Sequence, residues 1–185
     1  NKDGLTVLIA CTHVDDTLVV GVAEEIKWFK ESVGKRFGYT EQKGLKKHLG
    51  VWYELKRDEN GEPYLEANMR DSIEGIIRTW ETYKGSKAKE YDTPGTPGKS
   101  TEKNLGRAIE PTMYRKIVGK IMYVVTKLLP EGANEARELT RQFGNPGEEH
   151  WKELERYVGY LTKNRNDLKQ IYRQPKELRV MSQVD

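Results

Sequence analysis

The sequence of 185 residues contains one cysteine, three phenylalanines and no long apolar run. A single cysteine, Cys11, excludes disulfides within the chain and a cysteine-rich zinc site, so we expect it to be a small buried hydrophobic side chain. No apolar stretch approaches the roughly 18 to 20 residues that span a bilayer, and the first residues lack the pattern of a signal peptide. We therefore expect an intracellular protein with no membrane partner.

Hydrophobic residues are scarce as well. They make up 36% of the sequence, whereas charged residues make up 33%. A chain of this length forms one ordinary domain or two small ones. Because the apolar content is low for a compact enzyme, the composition favours a fragment or an elongated module.

The positive charge is concentrated in one stretch. Residues 84–127 contain ten basic and four acidic side chains, whereas residues 1–83 contain twelve basic and fifteen acidic ones. A local excess of this kind is typical of a surface that contacts phosphates, because each contact releases condensed counterions. The alternative is a lysine-rich loop that only keeps the chain soluble.

Two adjacent carboxylates, Asp15 and Asp16, lie between two apolar runs, residues 5–11 and 17–22, which predict the strands of a buried hairpin. A carboxylate taken out of water needs a divalent cation, a basic side chain or residual solvent to compensate for its lost hydration. A metal site is the most specific interpretation. The alternative is that aspartate is simply a good turn residue, because its side chain hydrogen-bonds to nearby backbone.

Periodicity predicts a mixed organisation. Helical spacing of apolar residues predicts helices over 23–37, from about Asn68 to Tyr83, and over 111–128, 132–143 and 148–163. Alternation predicts a hairpin with strands near 51–55 and 64–66, and two short strands at 168–172 and 178–184. Residues 93–100, rich in proline and glycine, predict a surface crossing between subdomains. The expected class is α+β, with antiparallel hairpins packed by helices, then a helical bundle and a short terminal β-hairpin.

Several blocks of the sequence resemble, in order and spacing, the reverse transcriptase of copia-type (Pseudoviridae-like) retrotransposons, and together they cover nearly the whole chain. The blocks are His13-Val14-Asp15-Asp16, Leu49-Gly50-Val51, Arg57-Asp58-Glu59-Asn60-Gly61, Met113-Tyr114-Arg115-Lys116-Ile117-Val118-Gly119-Lys120-Ile121-Met122-Tyr123, Phe143-Gly144-Asn145-Pro146, Glu149-His150-Trp151-Lys152 and Tyr160-Leu161. The resemblance implies four segments. They are the C-terminal part of the polymerase palm (1–92), a Pro/Gly-rich linker (93–110), a helical thumb (111–164) and strands leading toward a ribonuclease H domain (165–185).

The resemblance also implies a metal site. Asp15, with Asp16 beside it, would be the catalytic pair that holds Mg²⁺, or Mn²⁺ in its place, where two ions activate the primer 3′-hydroxyl and stabilise the leaving pyrophosphate. His13 would contact nucleic acid near the primer terminus. Because the family more often has tyrosine at this position, the contact to the primer terminus stays open.

In the thumb, the resemblance implies that Arg115, Lys116 and Lys120 contact phosphates of the template-primer duplex and that Gly119 permits a close approach. The alternative for the three basic residues is an ordinary solvated helix face. The alternative for Gly119 is packing against a neighbouring helix.

The function implied is a fragment of an RNA-directed DNA polymerase, a nucleotidyltransferase made as part of a longer polyprotein. The family needs a further aspartate from an upstream strand and fingers that bind the dNTP, so we expect the fragment alone to be inactive. Expected partners are the RNA/DNA template-primer duplex, the missing fingers and upstream palm, and the ribonuclease H and integrase parts, in a cytoplasmic virus-like particle or the nucleus. The alternative function is a domesticated, catalytically inactive scaffold or protein-binding module.

Overall fold

The computed structural model describes residues 6–42, 44–98 and 100–174. The α+β class predicted from the sequence is confirmed, because five α-helices accompany antiparallel strands in these residues. The chain divides into two units, residues 1–49 and 50–185. Within the described ranges, no helix is both long and apolar enough to cross a membrane.

The first unit contains a hairpin followed by a helix. The strands of the hairpin are antiparallel, and His13 lies opposite Asp16 beside the turn. The helix ends at Gly34, about one turn before Phe37, where the sequence predicted its end. The elements are β1 (Leu8–His13), β2 (Asp16–Gly21), α1 (Ala23–Gly34) and the two-residue β3 (Lys47–His48).

The prediction that this hairpin is buried, with Cys11 as a buried side chain, is wrong for this chain. None of the described residues of the first unit is buried, and Cys11 is exposed. Ile9 on β1 and Trp28 on α1 are each 62% exposed. The physical reason is that one hairpin and one helix cannot cover both faces of two apolar strands.

In the second unit, β5 lies between β4 and β6 and is antiparallel to both. Glu66 on β5 is buried, and its carboxylate oxygens lie 3.0 Å from the ammonium of Lys56 on β4 and 3.4 Å from that of Lys169 on β6. The hydrogen bond from Lys56 holds the pKa of Glu66 below its usual value. The strands are β4 (Val51–Arg57), β5 (Pro63–Asn68) and β6 (Lys169–Arg173).

Four helices of the second unit share one hydrophobic core with the sheet. Trp80, Tyr114, Ile121 and Leu154 are fully buried in it, and Val51 and Ala67 join it from the strands. The helical spacing seen in the sequence therefore marks the buried faces correctly. The helices are α2 (Arg70–Lys84), α3 (Pro111–Val125), α4 (Ala133–Thr140) and α5 (Glu148–Asn164), with a short 3-10 helix (Pro130–Gly132) before α4.

Residues 85–110 form the connection from α2 to α3 and contain no helix or strand among those described. The connection packs on α5, where the guanidinium of Arg156 lies 4.6 Å from the Tyr91 ring and donates a hydrogen bond of 2.8 Å to the Thr93 hydroxyl. The core is continuous on both sides of this connection. The predicted subdomain limits at 92 and 111 stay predictions and differ from the division at residue 49. The predicted strand 178–184 lies outside the described residues.

Candidate functional site

The turn of the first hairpin places a strained residue beside the candidate carboxylates. Val14 and Asp15 form a two-residue loop between the paired residues His13 and Asp16. Val14 has a φ of 55° and is 87% exposed. A left-handed conformation is costly for a β-branched residue, and glycine is favoured where a two-residue loop begins with a positive φ. Such strain is often found at functional sites.

Both carboxylates at this turn are exposed. Asp15 lies in the loop, whereas Asp16 begins β2 opposite His13, so the side chains of Asp16 and His13 lie on the same face of the hairpin. The turn interpretation predicts hydrogen bonds from nearby backbone to an aspartate side chain. No backbone amide in the described part of the chain donates to either carboxylate.

Asp15 and Asp16 are the metal ligands that the sequence predicts. In the described ranges, no three His, Cys, Asp or Glu side chains come together in a way that could hold a metal ion. Two carboxylates nevertheless suit Mg²⁺, which keeps several waters and is often bound by one or two carboxylates plus substrate phosphates. Asp15 and Asp16 therefore fit Mg²⁺ if a substrate or another segment supplies the remaining ligands.

A second surface lies on α3, and we call it the basic face. Arg115, Lys116, Gly119 and Lys120 are all exposed on one side of the helix, and the other side packs in the core. Their spacing in the sequence brings them together on a helix surface. No carboxylate in the described part of the chain forms an ion pair with Arg115 or Lys116. The basic face is thus an unneutralised cationic surface.

Gly119 has no packing role within the described chain. A Cβ atom at this position would meet nothing within 4 Å outside its own helix. Packing against a neighbouring helix therefore does not explain this glycine. Because an exposed glycine within a helix costs about 1 kcal/mol relative to alanine, its presence is consistent with the close approach of an external group.

Lys120 makes contacts that sequence reasoning missed. Its ammonium donates hydrogen bonds to the Thr79 hydroxyl at 2.7 Å and to the Gly75 carbonyl at 3.3 Å, both on α2. A lysine ammonium has three N–H donors, so one is left for an external acceptor. No pattern in the sequence indicates these contacts, because Lys120 and its two partners are more than 40 positions apart and meet only when α2 and α3 pack.

Tyr123 lies one turn beyond the basic face and packs against the turn that precedes β4. A Cβ on Gly50 would lie 2.5 Å from the Tyr123 hydroxyl, and Gly50 has a φ of +81°, so both space and backbone require glycine. The ammonium of Lys127 lies 4.3 Å from the centre of the Tyr123 ring. The α3 surface therefore continues from the basic face to the Gly50 turn.

Comparison with known proteins gives one informative similarity. The chain is 28% identical over 160 residues to the retrovirus-related Pol polyprotein from transposon RE2 of Arabidopsis thaliana. The alignment covers 85% of this chain and 10% of the polyprotein, so the chain spans about a tenth of the length of this relative. No protein-family model and no solved structure matches the chain. The chain is therefore similar to one region of a retrotransposon polyprotein.

Proposed function

We propose that this chain is part of a copia-type reverse transcriptase, formed by the C-terminal part of the palm, the thumb and the strands that follow it. The observation that carries the proposal is the β1–β2 hairpin, which places Asp15 in its loop and Asp16 beside it. The similarity to a retrotransposon polyprotein and the unneutralised basic face support the same function.

The proposed catalytic role belongs to the two aspartates. Asp15 would coordinate Mg²⁺ directly, with Asp16 beside it, and Mn²⁺ would be accepted by the same carboxylate oxygens. When bound, the metal would lower the barrier to attack by the primer 3′-hydroxyl and neutralise the leaving pyrophosphate. The strained Val14 would fix the direction in which the loop presents Asp15. His13, on the same face as Asp16, would approach the primer end.

The exposed apolar surface of the first unit supports the proposed partners. Ile9, Val20 and Trp28 are more than half exposed, which is unusual for large apolar side chains on neighbouring elements. We propose that the upstream palm and the fingers of the complete polymerase cover this surface, and that the upstream palm supplies a further carboxylate. The complete enzyme would bind the dNTP and be joined to ribonuclease H and integrase parts, in a cytoplasmic virus-like particle or the nucleus.

The basic face would bind the template-primer duplex. Arg115 and Lys116 have no competing carboxylate in the described chain, so both are available to phosphates. Gly119 lies between them and Lys120 on the helix surface, and its missing side chain would let the sugar-phosphate backbone come close. Lys120 would add one N–H donor while remaining bound to α2.

A domesticated, inactive scaffold is the second candidate. The observation that favours it is that, in the described residues, no three His, Cys, Asp or Glu side chains come together in a way that could hold a metal ion. In that case the exposed apolar surface would bind another protein, and the aspartates would be remnants of an ancestral site.

Primer extension distinguishes the two functions. The complete polyprotein product that contains this chain should extend a primer with dNTPs and Mg²⁺, and Asp15→Asn should remove most of that activity. Asp167→Asn is a matched control, because Asp167 is also exposed but lies in the turn after α5. Equal extension by the Asp15→Asn and unaltered proteins would rule out the metal role.

Duplex binding tests the basic face. The affinity should fall steeply with salt, and changing Arg115, Lys116 and Lys120 to Ala should reduce the slope of log K against log salt by about 2 to 3. A control that changes Arg137, Arg141 and Lys152 to Ala removes the same charge from α4, the residue that follows it and α5. If the two triple variants have the same slope, the basic face does not contact phosphates.

A further inference from the structure

The connection between α2 and α3 contains two threonines that are each followed by proline, Thr93-Pro94 and Thr96-Pro97. They are the two positions in the sequence at which a hydroxyl residue precedes a proline. Both threonines are exposed and belong to no helix or strand. A residue before proline favours extended backbone, and protein kinases that select threonine-proline act on exposed, extended segments. Both hydroxyls are therefore accessible to phosphorylation.

The hydroxyl of Thr93 lies beside an arginine with an unused donor. Nη2 of Arg156 on α5 donates a hydrogen bond of 2.8 Å to the Thr93 hydroxyl. Nε of the same guanidinium is buried, and no acceptor in the described part of the chain contacts it. Nor does any described carboxylate form an ion pair with Arg156. Because an unsatisfied buried donor is costly, Arg156 gains from a further acceptor at this point.

A phosphate on Thr93 fits this guanidinium. Phosphothreonine carries about −1.5 to −2 charges at pH 7 and three acceptor oxygens. Nε and Nη2 donate from the same edge of the guanidinium, so two phosphate oxygens can accept from them in the bidentate geometry that arginine offers to phosphates. The carboxylate of the preceding Asp92 is neutralised by an ion pair with Lys163. The positive charge of Arg156 is thus left for the phosphate.

The surroundings of Thr96 are the opposite. Its hydroxyl lies 3.5 Å from the carboxylate of Glu153 on α5. A phosphate at this position would meet a like charge instead of a guanidinium, and such an arrangement is repulsive. The chain therefore offers two equivalent dipeptides, three residues apart, of which one has a cation to receive a phosphate.

We propose that Thr93 is a phosphorylation site and that Arg156 holds its phosphate. A protein kinase transfers the γ-phosphoryl group of ATP to the Thr93 oxygen. The new O–P bond forms as the bond from the γ-phosphorus to the bridging oxygen breaks, ADP leaves, and a base of the kinase takes the hydroxyl proton. Two charge-assisted hydrogen bonds then replace the single bond from Arg156, and they attach the connection to α5. This proposal does not depend on the polymerase function proposed above.

Single-site variants of the full chain test the proposal. Thr96→Ala and Thr93→Ala each leave one threonine-proline for a kinase that requires only the proline, supplied with ATP and Mg²⁺. Mass spectrometry of the product should locate a phosphate on Thr93 in the Thr96→Ala chain. Phosphorus NMR then measures the second pKa of each phosphothreonine, ordinarily about 6. The pKa at Thr93 should lie at least about half a unit below the pKa at Thr96, because a guanidinium favours the dianion and a carboxylate opposes it.

A change of Arg156 identifies the group that receives the phosphate. Arg156→Gln, made in the Thr96→Ala chain, should raise the pKa of the Thr93 phosphate to about 6. Arg165→Gln is the matched control, because Arg165 lies just after α5 and faces Glu74, 3.8 Å away, so the pKa should not change. A folded Thr96→Ala chain that takes no phosphate on Thr93, or equal pKa values in the Arg156→Gln and unaltered backgrounds, would overturn the proposal. Should Arg156→Gln fail to fold, the two phosphothreonines decide, since equal pKa values at Thr93 and Thr96 contradict the contact with Arg156.

Discussion

The ammonium of Lys120 on α3 donates a 2.7 Å hydrogen bond to the hydroxyl of Thr79 on α2. That hydroxyl in turn donates to the Gly75 carbonyl at 2.7 Å, which also accepts a bond from Lys120. The three groups form a closed triangle between two helices that pack against each other. Lys120 therefore holds α2 and α3 together in addition to any contact it makes with phosphate.

Replacing Lys120 by methionine should lower the free energy of unfolding by about 0.5 to 1 kcal/mol, because the charged hydrogen bonds are partly exposed. Urea unfolding measures this change. Lys116→Met is the control, since Lys116 is exposed and has no described partner, and it should stay within about 0.5 kcal/mol of the unaltered protein. Duplex binding should respond in the opposite order, with the larger loss of salt dependence in Lys116→Met.

Two glycines of the helices should respond in opposite directions to alanine. At Gly159 a Cβ would lie 1.8 Å from the Lys89 carbonyl oxygen, so Gly159→Ala must displace the connection from α5 and should cost about 3 kcal/mol or more. At Gly119 a Cβ meets nothing, so Gly119→Ala should increase stability by up to about 1 kcal/mol. Thermal or urea unfolding checks both. A destabilised Gly119→Ala would contradict the open surface at this position.

The carboxylate of Glu66 should make stability depend on acid. Its pKa is held below the ordinary value of 4.5 by the hydrogen bond from Lys56, so the folded state binds its proton less readily than the unfolded chain. The contribution is present at neutral pH and disappears as the pH falls below that ordinary value. Glu66→Gln should be about 1 to 2 kcal/mol less stable at neutral pH, and the difference should shrink in acid.

Urea unfolding at neutral and acidic pH measures this dependence. Glu59→Gln is the control, because Glu59 is exposed in the neighbouring turn between β4 and β5. A constant difference between Glu66→Gln and the unaltered protein at all pH values would contradict the role of the ion pairs.

Replacing Val14 by glycine should stabilise the β1–β2 hairpin. Val14→Gly keeps the left-handed conformation but removes its steric cost, which is roughly 1 to 2 kcal/mol in a residue with a side chain, and the entropy of glycine offsets part of this gain. Amide exchange in β1 and β2 should therefore slow severalfold. Val14→Ala keeps the positive φ, and equal protection in both variants would show that the strain is not relieved by glycine.

The sequence predicted the second unit well because its pattern and its packing agree. Ile73, Ile76 and Trp80 recur at helical spacing and are all buried against the other helices. The sequence also predicted the start of α2 to within two residues. Asn68, where the predicted helix begins, accepts a hydrogen bond of 3.3 Å on its side chain from the Arg70 amide. The spacing of apolar residues therefore predicts a buried helix face correctly where other elements of the same chain pack against that face.

In the first unit, the sequence pattern predicted the strands but not their exposure. The apolar runs 5–11 and 17–22 predicted the two strands of the hairpin, but a run of apolar residues does not show what covers it, and Ile9 and Cys11 are exposed here. The bond from Lys120 to Thr79 joins residues 41 positions apart and depends on how two helices pack. The adjacency of Asp15 and Asp16 was visible at once, whereas the strain at Val14 appears only in the backbone.

The position of β5 between β4 and β6 has a consequence for synthesis of the chain. β4 and β5 leave the ribosome early, but the residues of β6 follow only after all the helices of the second unit have been made. Throughout that interval, the edge of β5 that will later pair with β6 has unpaired backbone groups. An unpaired strand edge can form hydrogen bonds with strands of other chains. Translation of α2, α3, α4 and α5 is therefore the period in which a chaperone would protect this protein most from aggregation.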